Sequence, residues 1–261
     1  MKNKLLLIVL GTLLIFSLFG NVSAADLLEQ IREKGSITIA MEGTWSPWTF
    51  HNEDDELVGY DTEVGKAIAE YLGVKPVFIE GPWDGLLAGL EVGRYDIMIN
   101  GVGITPEREL KYDFSTPYAY NKPVVIVRGN NDSIHSMEDL KGKRTANTIT
   151  SLFAETAEKY GAEVIGVDDL NQTIELVLSG RIDATLNTEV TYFEYMNAHP
   201  DSNLKIAAYG EEVTSIGIPI RKGEETATLL EAVNAALKDM SESGKLAELS
   251  IKYFGTDRSV K

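Results

Sequence analysis

From Asp26 onward the chain alternates helix-period segments with short strand-like runs, and this alternation restricts it to an α/β architecture. A helix to Lys34 stops at Gly35, a strand follows from Ser36 to Met41, and a helix from Asp61 to Leu72 stops at Gly73 before a strand from Lys75 to Ile79. Glycine just past a helical run supplies the left-handed residue that closes a helix. The rhythm continues through a helix from Trp83 to Val92 and a strand from Tyr95 to Ile99. A second set comprises a strand from Arg144 to Asn147, a helix from Ser151 to Tyr160, a strand from Glu163 to Gly166, a helix from Asp168 to Leu178 and a strand from Ile182 to Leu186. Helices from Thr226 to Met240 and from Lys245 to Tyr253 close the chain. Such alternation implies doubly wound sheets, and no low-complexity linker divides the two sets.

Residues 100 to 118, NGVGITPERELKYDFSTPY, carry the most chemistry. The strand ending at Ile99 runs into a turn with Gly101 and Gly103, after which Thr105 and Pro106 have the character of a helix N-cap and first helical position. Glycines let backbone N–H groups approach a ligand, and Arg108, in the first helical turn, could grip a carboxylate through two parallel hydrogen bonds. Spacing alone is equally compatible with a surface arginine after an ordinary turn.

The first 24 residues read as a cleaved signal peptide: Lys2 and Lys4, an apolar run from Leu5 to Phe19, and Val22 and Ala24 at the small-residue positions. Export is expected. The sequence has no cysteine, so the exported fold must stand without disulfides, and nothing after the signal could carry a lipid anchor. A freely soluble periplasmic protein fits. The formal charge is −16, and removal of a signal containing two lysines and no acids makes it −18. Such a surface repels polyanions, which excludes a nucleic-acid partner. His51, His135 and His199 are scattered and suggest neither a triad nor a metal set; no phosphate loop or nucleophile motif is present, and no cofactor is expected.

The stretch from 100 to 118 resembles the signature of the family 3, polar amino acid type, periplasmic solute-binding proteins of ABC importers, in which a Gly-x-Thr/Ser-x-Thr-x-Glu-Arg run precedes Asp-Phe-Ser-x-Pro-Tyr. Further blocks fall in the family's order: MEGTWSPW from Met41, LVGYD from Leu57, WDGLL from Trp83, LKGK from Leu140, SGRIDA from Ser179 and KYFG from Lys252. The resemblance covers roughly residues 30 to 256. It implies a type II two-lobed fold, each lobe a doubly wound sheet, with ligand held in the cleft between them. Lobe 1 would comprise residues 26–118 and 217–261, and lobe 2 residues 123–212, with hinges near 119–123 and 213–216. It also implies an amino acid ligand, membrane permease subunits as partners, and a monomer.

Carried over by resemblance, the site comprises Arg108 for the ligand's α-carboxylate, with Gly101 and Gly103 in the turn before it. Trp45 and Trp83 would form walls able to sandwich an aliphatic or sulfur-containing side chain, with Glu42 near the ammonium; Trp48 is assigned to the core. Thr148, Thr150 and Ser151 form the turn that meets the carboxylate from lobe 2, Ser151 also reading as a helix N-cap. Two departures stand out: Gly103 replaces a hydroxyl residue, and Thr188 stands where many members have the aspartate that pairs with the ammonium, with Glu189 adjacent. Among relatives the chain looks most like binders of cystine or other sulfur amino acids. Two competing readings remain. Periplasmic dehydratases acting on prephenate or arogenate share the scaffold but require a cleft proton donor with a raised pKa. Extracellular sensory modules share it too.

Overall fold

A computed structural model describes residues 26–261, and the expected signal peptide lies outside them. Helix α1 (Leu27–Lys34) leads into β1 (Ser36–Met41), then a small antiparallel meander of β2 (Thr44–Trp45), β3 (Thr49–His51) and β4 (Leu57–Val58). Next come α2 (Tyr60–Leu72), β5 (Lys75–Glu80), α3 (Trp83–Glu91), β6 (Ile97–Met98), the short α4 (Pro106–Glu109), β7 (Tyr112–Phe114) and β8 (Ala119–Asn121). The second half contains β9 (Pro123–Arg128), β10 (Arg144–Asn147), α5 (Leu152–Lys159), β11 (Glu163–Gly166), α6 (Leu170–Ser179), β12 (Ala184–Thr188), α7 (Glu189–Ala198) and β13 (Leu204–Tyr209). The chain returns through β14 (Thr214–Ile216) and β15 (Pro219–Arg221) to α8 (Ala227–Glu242) and α9 (Lys245–Phe254). Among the described residues no helix is long and apolar enough to cross a membrane.

Two separate sheets organise the molecule. In the first lobe β5, β1 and β6 lie parallel in that order. Side chains of β1 alternate: Ile37, Ile39 and Met41 enter the large core built with α1, α2, α8 and α9, while Ala40 faces a smaller core with Trp83, Leu86 and Met98. In the second lobe the order is β11-β10-β12-β9-β13, with β9 antiparallel to both its neighbours. Val125 and Val127 pack on one face against Leu140 and Ala157, and Val124 and Ile126 on the other against Ile174 and Val177. A central strand covered on both faces has no polar side to display, so β9 reads as a continuous apolar run and gives no alternation by which sequence could identify it.

The expected elements occur with shifts at their ends that have local causes. The strand expected to end at Leu186 runs on to Thr188 because its pairing with β9 continues to Pro123. Helix α6 starts after Asp169, whose side chain accepts from the Gln172 N–H and so fixes the N-terminus. Where the chain passes between the sheets, β8 pairs antiparallel with β14, Asn121 opposite Thr214 and Ala119 opposite Ile216. The C-terminal tail lies beside this ribbon: the Tyr120 N–H donates to the Arg258 carbonyl at 2.8 Å, and the Arg258 guanidinium reaches Glu189 of the second lobe at 2.6 Å.

The N-terminus of α2 carries a buried polar group. Asp61 is fully enclosed, its Oδ1 accepts from the Tyr118 hydroxyl at 2.8 Å, and its Oδ2 has no partner. Burial pushes its pKa from the ordinary 3.8 up to about 7 against the opposing hydrogen bond. Between those two values the native state holds a proton that the unfolded chain has released, so this group's stability contribution is full below the lower value and is lost as pH rises through the upper. Asp61→Asn, which keeps the acceptor, should flatten the pH dependence of denaturant unfolding between pH 5 and 7 by up to about 1.4 kcal/mol per pH unit. An unaltered slope would mean that the carboxyl ionises at no cost.

Candidate functional site

Residues at the carboxyl ends of strands from both lobes converge on a cavity of about 90 Å³. Arg108 enters it from α4. The Thr105 side chain caps this helix by accepting from the Arg108 N–H at 3.2 Å, with Pro106 at its first position, as the sequence predicts. The guanidinium is buried, with 7 % exposure, and its hydrogen bonds go to carbonyls of both lobes: Nη1 donates to Gly103 O and Nη2 to Thr150 O, each at 3.1 Å. It lies 5.6 Å from the centroid of the Trp83 ring. The nearest carboxylate oxygen, on half-exposed Glu155, is 3.9 Å away. Burial draws the Arg108 pKa below its ordinary value, so this cation is held in a poorly solvated place without a carboxylate at contact distance.

The two glycines before Arg108 are required for different reasons. Gly101 has φ +56°, and a Cβ there would sit 2.6 Å from the Trp45 ring. Gly103 has ordinary dihedrals, but a Cβ would come within 3.0 Å of both Leu152 and Thr214. The residue that departs from the family pattern is thus one where a side chain would press against the second lobe. Trp45 stacks on Trp48 at 5.3 Å and donates from Nε1 to Asn187 Oδ1 across the cleft at 3.2 Å. Trp45 and Trp83 both line the cavity, whereas Trp48 is buried at 1 % exposure and does not.

Glu42 follows β1 and faces Asn100: its N–H donates to Asn100 Oδ1 at 2.7 Å, and Asn100 Nδ2 donates to Glu42 Oε2 at 2.6 Å. Burial, reinforced by the negative charges of Asp169 and Asp84, pushes its pKa from 4.5 up to about 7, against the stabilising hydrogen bond from Asn100. Below its lower value the proton stays on in either state; the ionised form above about 7 lacks a cation among these neighbours.

The lobe 2 expectations divide. Thr148 and Ser151 line the cavity, and Ser151 also caps α5 by accepting from the Ala154 N–H at 3.2 Å. Thr150 does not form a wall; its N–H and hydroxyl both donate to Asp84 Oδ1 of lobe 1, at 2.9 and 2.8 Å, so it spans the cleft instead. Thr188 and Glu189 also lie elsewhere than expected. Thr188 is fully buried and caps α7, accepting from the Thr191 N–H and donating to the Thr191 hydroxyl, because β12 passes directly into that helix. Glu189, at the first position of α7, turns to Arg258. Neither lines the cavity.

Several cavity residues escaped the sequence reading. Asn147 ends β10, Asn187 lies one residue from the end of β12, Asn121 ends β8, and Asp169 caps α6. The strand ends of the three asparagines and the helix start at Asp169 were the usable signals. Asn147 donates from Nδ2 to Leu186 O at 2.9 Å and leaves its Oδ1 without a partner; Trp83 Nε1 is likewise unpartnered. A buried acceptor on one lobe and a buried donor on the other are groups that a bound polar molecule could satisfy. Among the described residues no group of histidines and carboxylates has the arrangement of a metal site.

Whole-chain comparisons place the sequence and the fold among known proteins. The chain is 40 % identical over 240 residues to the L-cystine-binding protein TcyA of Bacillus subtilis, covering 92 % of this chain and 88 % of that one. Its backbone superposes on a mutant of ArgBP from T. maritima with a TM-score of 0.81 at 30 % identity, over 87 % of this chain and 99 % of that one. The L-cystine solute receptor of Neisseria gonorrhoeae, in its unliganded open conformation, superposes with a TM-score of 0.60 at 37 % identity, over 91 % and 100 % of the two chains. Residues 37–256 match the description of the bacterial extracellular solute-binding proteins, family 3. The chain therefore belongs to that family and has its two-lobed type II fold, with the polar cleft around Arg108 between the lobes.

Proposed function

We propose that this protein captures an amino acid outside the cytoplasmic membrane and delivers it to the permease subunits of an ABC importer, as a monomer that closes on its ligand. L-Cystine or another sulfur amino acid is the ligand we favour, given the relationship to TcyA and the aromatic walls at Trp45 and Trp83. The carrying observation is the buried Arg108 guanidinium, bonded to carbonyls of both lobes and without a close carboxylate. An α-carboxylate supplies the missing charge. The α-ammonium is placed toward Glu42 and Asp169, since Thr188 is turned away.

Closure in this reading is a bend of the segments near 119–123 and 213–216, with residues 26–118 and 217–261 moving against 123–212. The bonds from Thr150 to Asp84 and from Trp45 to Asn187 favour the closed arrangement. The open Neisseria receptor, more identical in sequence yet less well superposed than ArgBP, fits a rotation of one lobe. A periplasmic dehydratase is the second reading, because Glu42 has the raised pKa that a cleft proton donor needs. We favour binding over catalysis, and expect prephenate and arogenate to remain unconverted on prolonged incubation with the protein; turnover abolished in Glu42→Gln would reverse that choice.

Three measurements address the binding reading. Arg108→Ala should weaken binding in calorimetric titration by at least about thirtyfold, and Arg108→Lys should recover part of it, because lysine keeps the charge and loses the planar fork. A near-native Kd for the alanine variant would remove Arg108 as anchor. Asp84→Ala, which loses the bonds across the cleft, should raise the radius of gyration of ligand-free protein in solution scattering, while Asp84→Asn should not. Affinity should also fall as pH drops through about 7, since protonation of Glu42 removes a negative charge near the ammonium, and Glu42→Gln should abolish that dependence.

A further inference from the structure

Outside the inner cavity lies a second one of about 350 Å³, also walled by both lobes. Thr44 and Leu170 line both, so the two adjoin. The outer cavity is some four times larger than the 90 Å³ inner one. Thr44 and Leu170 thus put the larger cavity next to any ligand that outgrows the inner one.

The charged groups of the outer cavity are unevenly matched. His51, from β3, contacts Glu80 Oε2 through Nε2 at 2.8 Å and Asp55 Oδ1 through Nδ1 at 3.1 Å, and the hydrogen bond to Glu80 raises its pKa. Its charge, when protonated, is thus already compensated. His199 packs against Tyr195 at a tilt of 43°, with centroids 4.5 Å apart. Glu194, on α7 and half-buried, has no hydrogen bond or ion pair among the described residues. A cavity lined by an uncompensated carboxylate and by an aromatic ring is complementary to a cationic amine, which can pair with the first and pack on the second. The same carboxylate repels an anionic group.

We propose that the outer cavity is a subsite for a cationic amine at the far end of the ligand, with Glu194 as its acceptor and Tyr195 as its aromatic wall. This rests on the reading of the inner cavity as the amino acid site. The chemistry has two sources: the second α-ammonium of a two-headed amino acid such as cystine, whose distal carboxylate then faces solvent, or the side-chain cation of a basic amino acid.

Calorimetric titration of wild type, Glu194→Gln and Arg108→Ala with cystine, arginine, lysine and methionine tests the assignment. Methionine has the same α-amino acid head and no distal cation. Glu194→Gln preserves size and should weaken whichever distal-amine ligand binds wild type by about tenfold, while changing methionine binding by less than about twofold. The arm that responds, cystine or the basic amino acids, identifies the source. Equal affinity of wild type and Glu194→Gln for a distal-amine ligand, with Arg108→Ala still losing it, would overturn the subsite and leave the amino acid site standing. Binding of methionine alone would overturn it too. Failure of all four to bind wild type would overturn both.

Discussion

The cleft depends on one buried cation. Arg108 donates to Gly103 O on one lobe and to Thr150 O on the other, so a single guanidinium holds the two lobes together from within the cavity. Carbonyl dipoles solvate that charge only partly, and the lowered pKa of the group expresses the deficit. Everything around it serves this placement. Thr105 and Pro106 fix the start of α4, Trp83 lies over the guanidinium, and the bare Gly103 lets Leu152 approach from the opposite lobe.

A negative field opposes it. Glu42, Asp84 and Asp169 come together from both lobes, and their mutual repulsion adds to burial in keeping Glu42 protonated up to about pH 7. Arg108 and acidic groups thus share one cleft, which offers both signs of charge that a zwitterion carries. Asp84 is turned from a liability into a contact by the N–H and hydroxyl of Thr150, which it accepts across the cleft. Thr188, turned into the cap of α7, adds no charge to this group.

Bonds spanning the lobes include those of Arg108 and Asp84 with Thr150, that of Trp45 with Asn187 in the same cavity, and that of Arg258 with Glu189 beside the ribbon of β8 and β14. Each joins residues far apart in sequence. Together they join the two lobes at several separate points rather than through one contact.

The αβ rhythm, the glycine stops and the helix start at Thr105 were legible in the sequence because they are local: period, cap and turn chemistry act over a few residues. So were Arg108, Trp45, Trp83 and Glu42 as cavity residues, through blocks of sequence at family spacing. Strand β9 was not legible, since burial on both faces erases alternation, and neither was its antiparallel placement beside β12. Thr188 and Glu189 were misplaced for a related reason: sequence neighbours at a strand–helix junction point in directions set by the cap, and the cap turned one inward and the other to Arg258. Asn147, Asn187 and Asp169 became cavity residues only when separate strand and helix ends were brought together. Sequence by itself determined the αβ rhythm, the family resemblance and Arg108 as a cleft residue; the tertiary structure alone decided which polar groups face the cleft and which link the lobes, because those contacts join segments up to 142 residues apart.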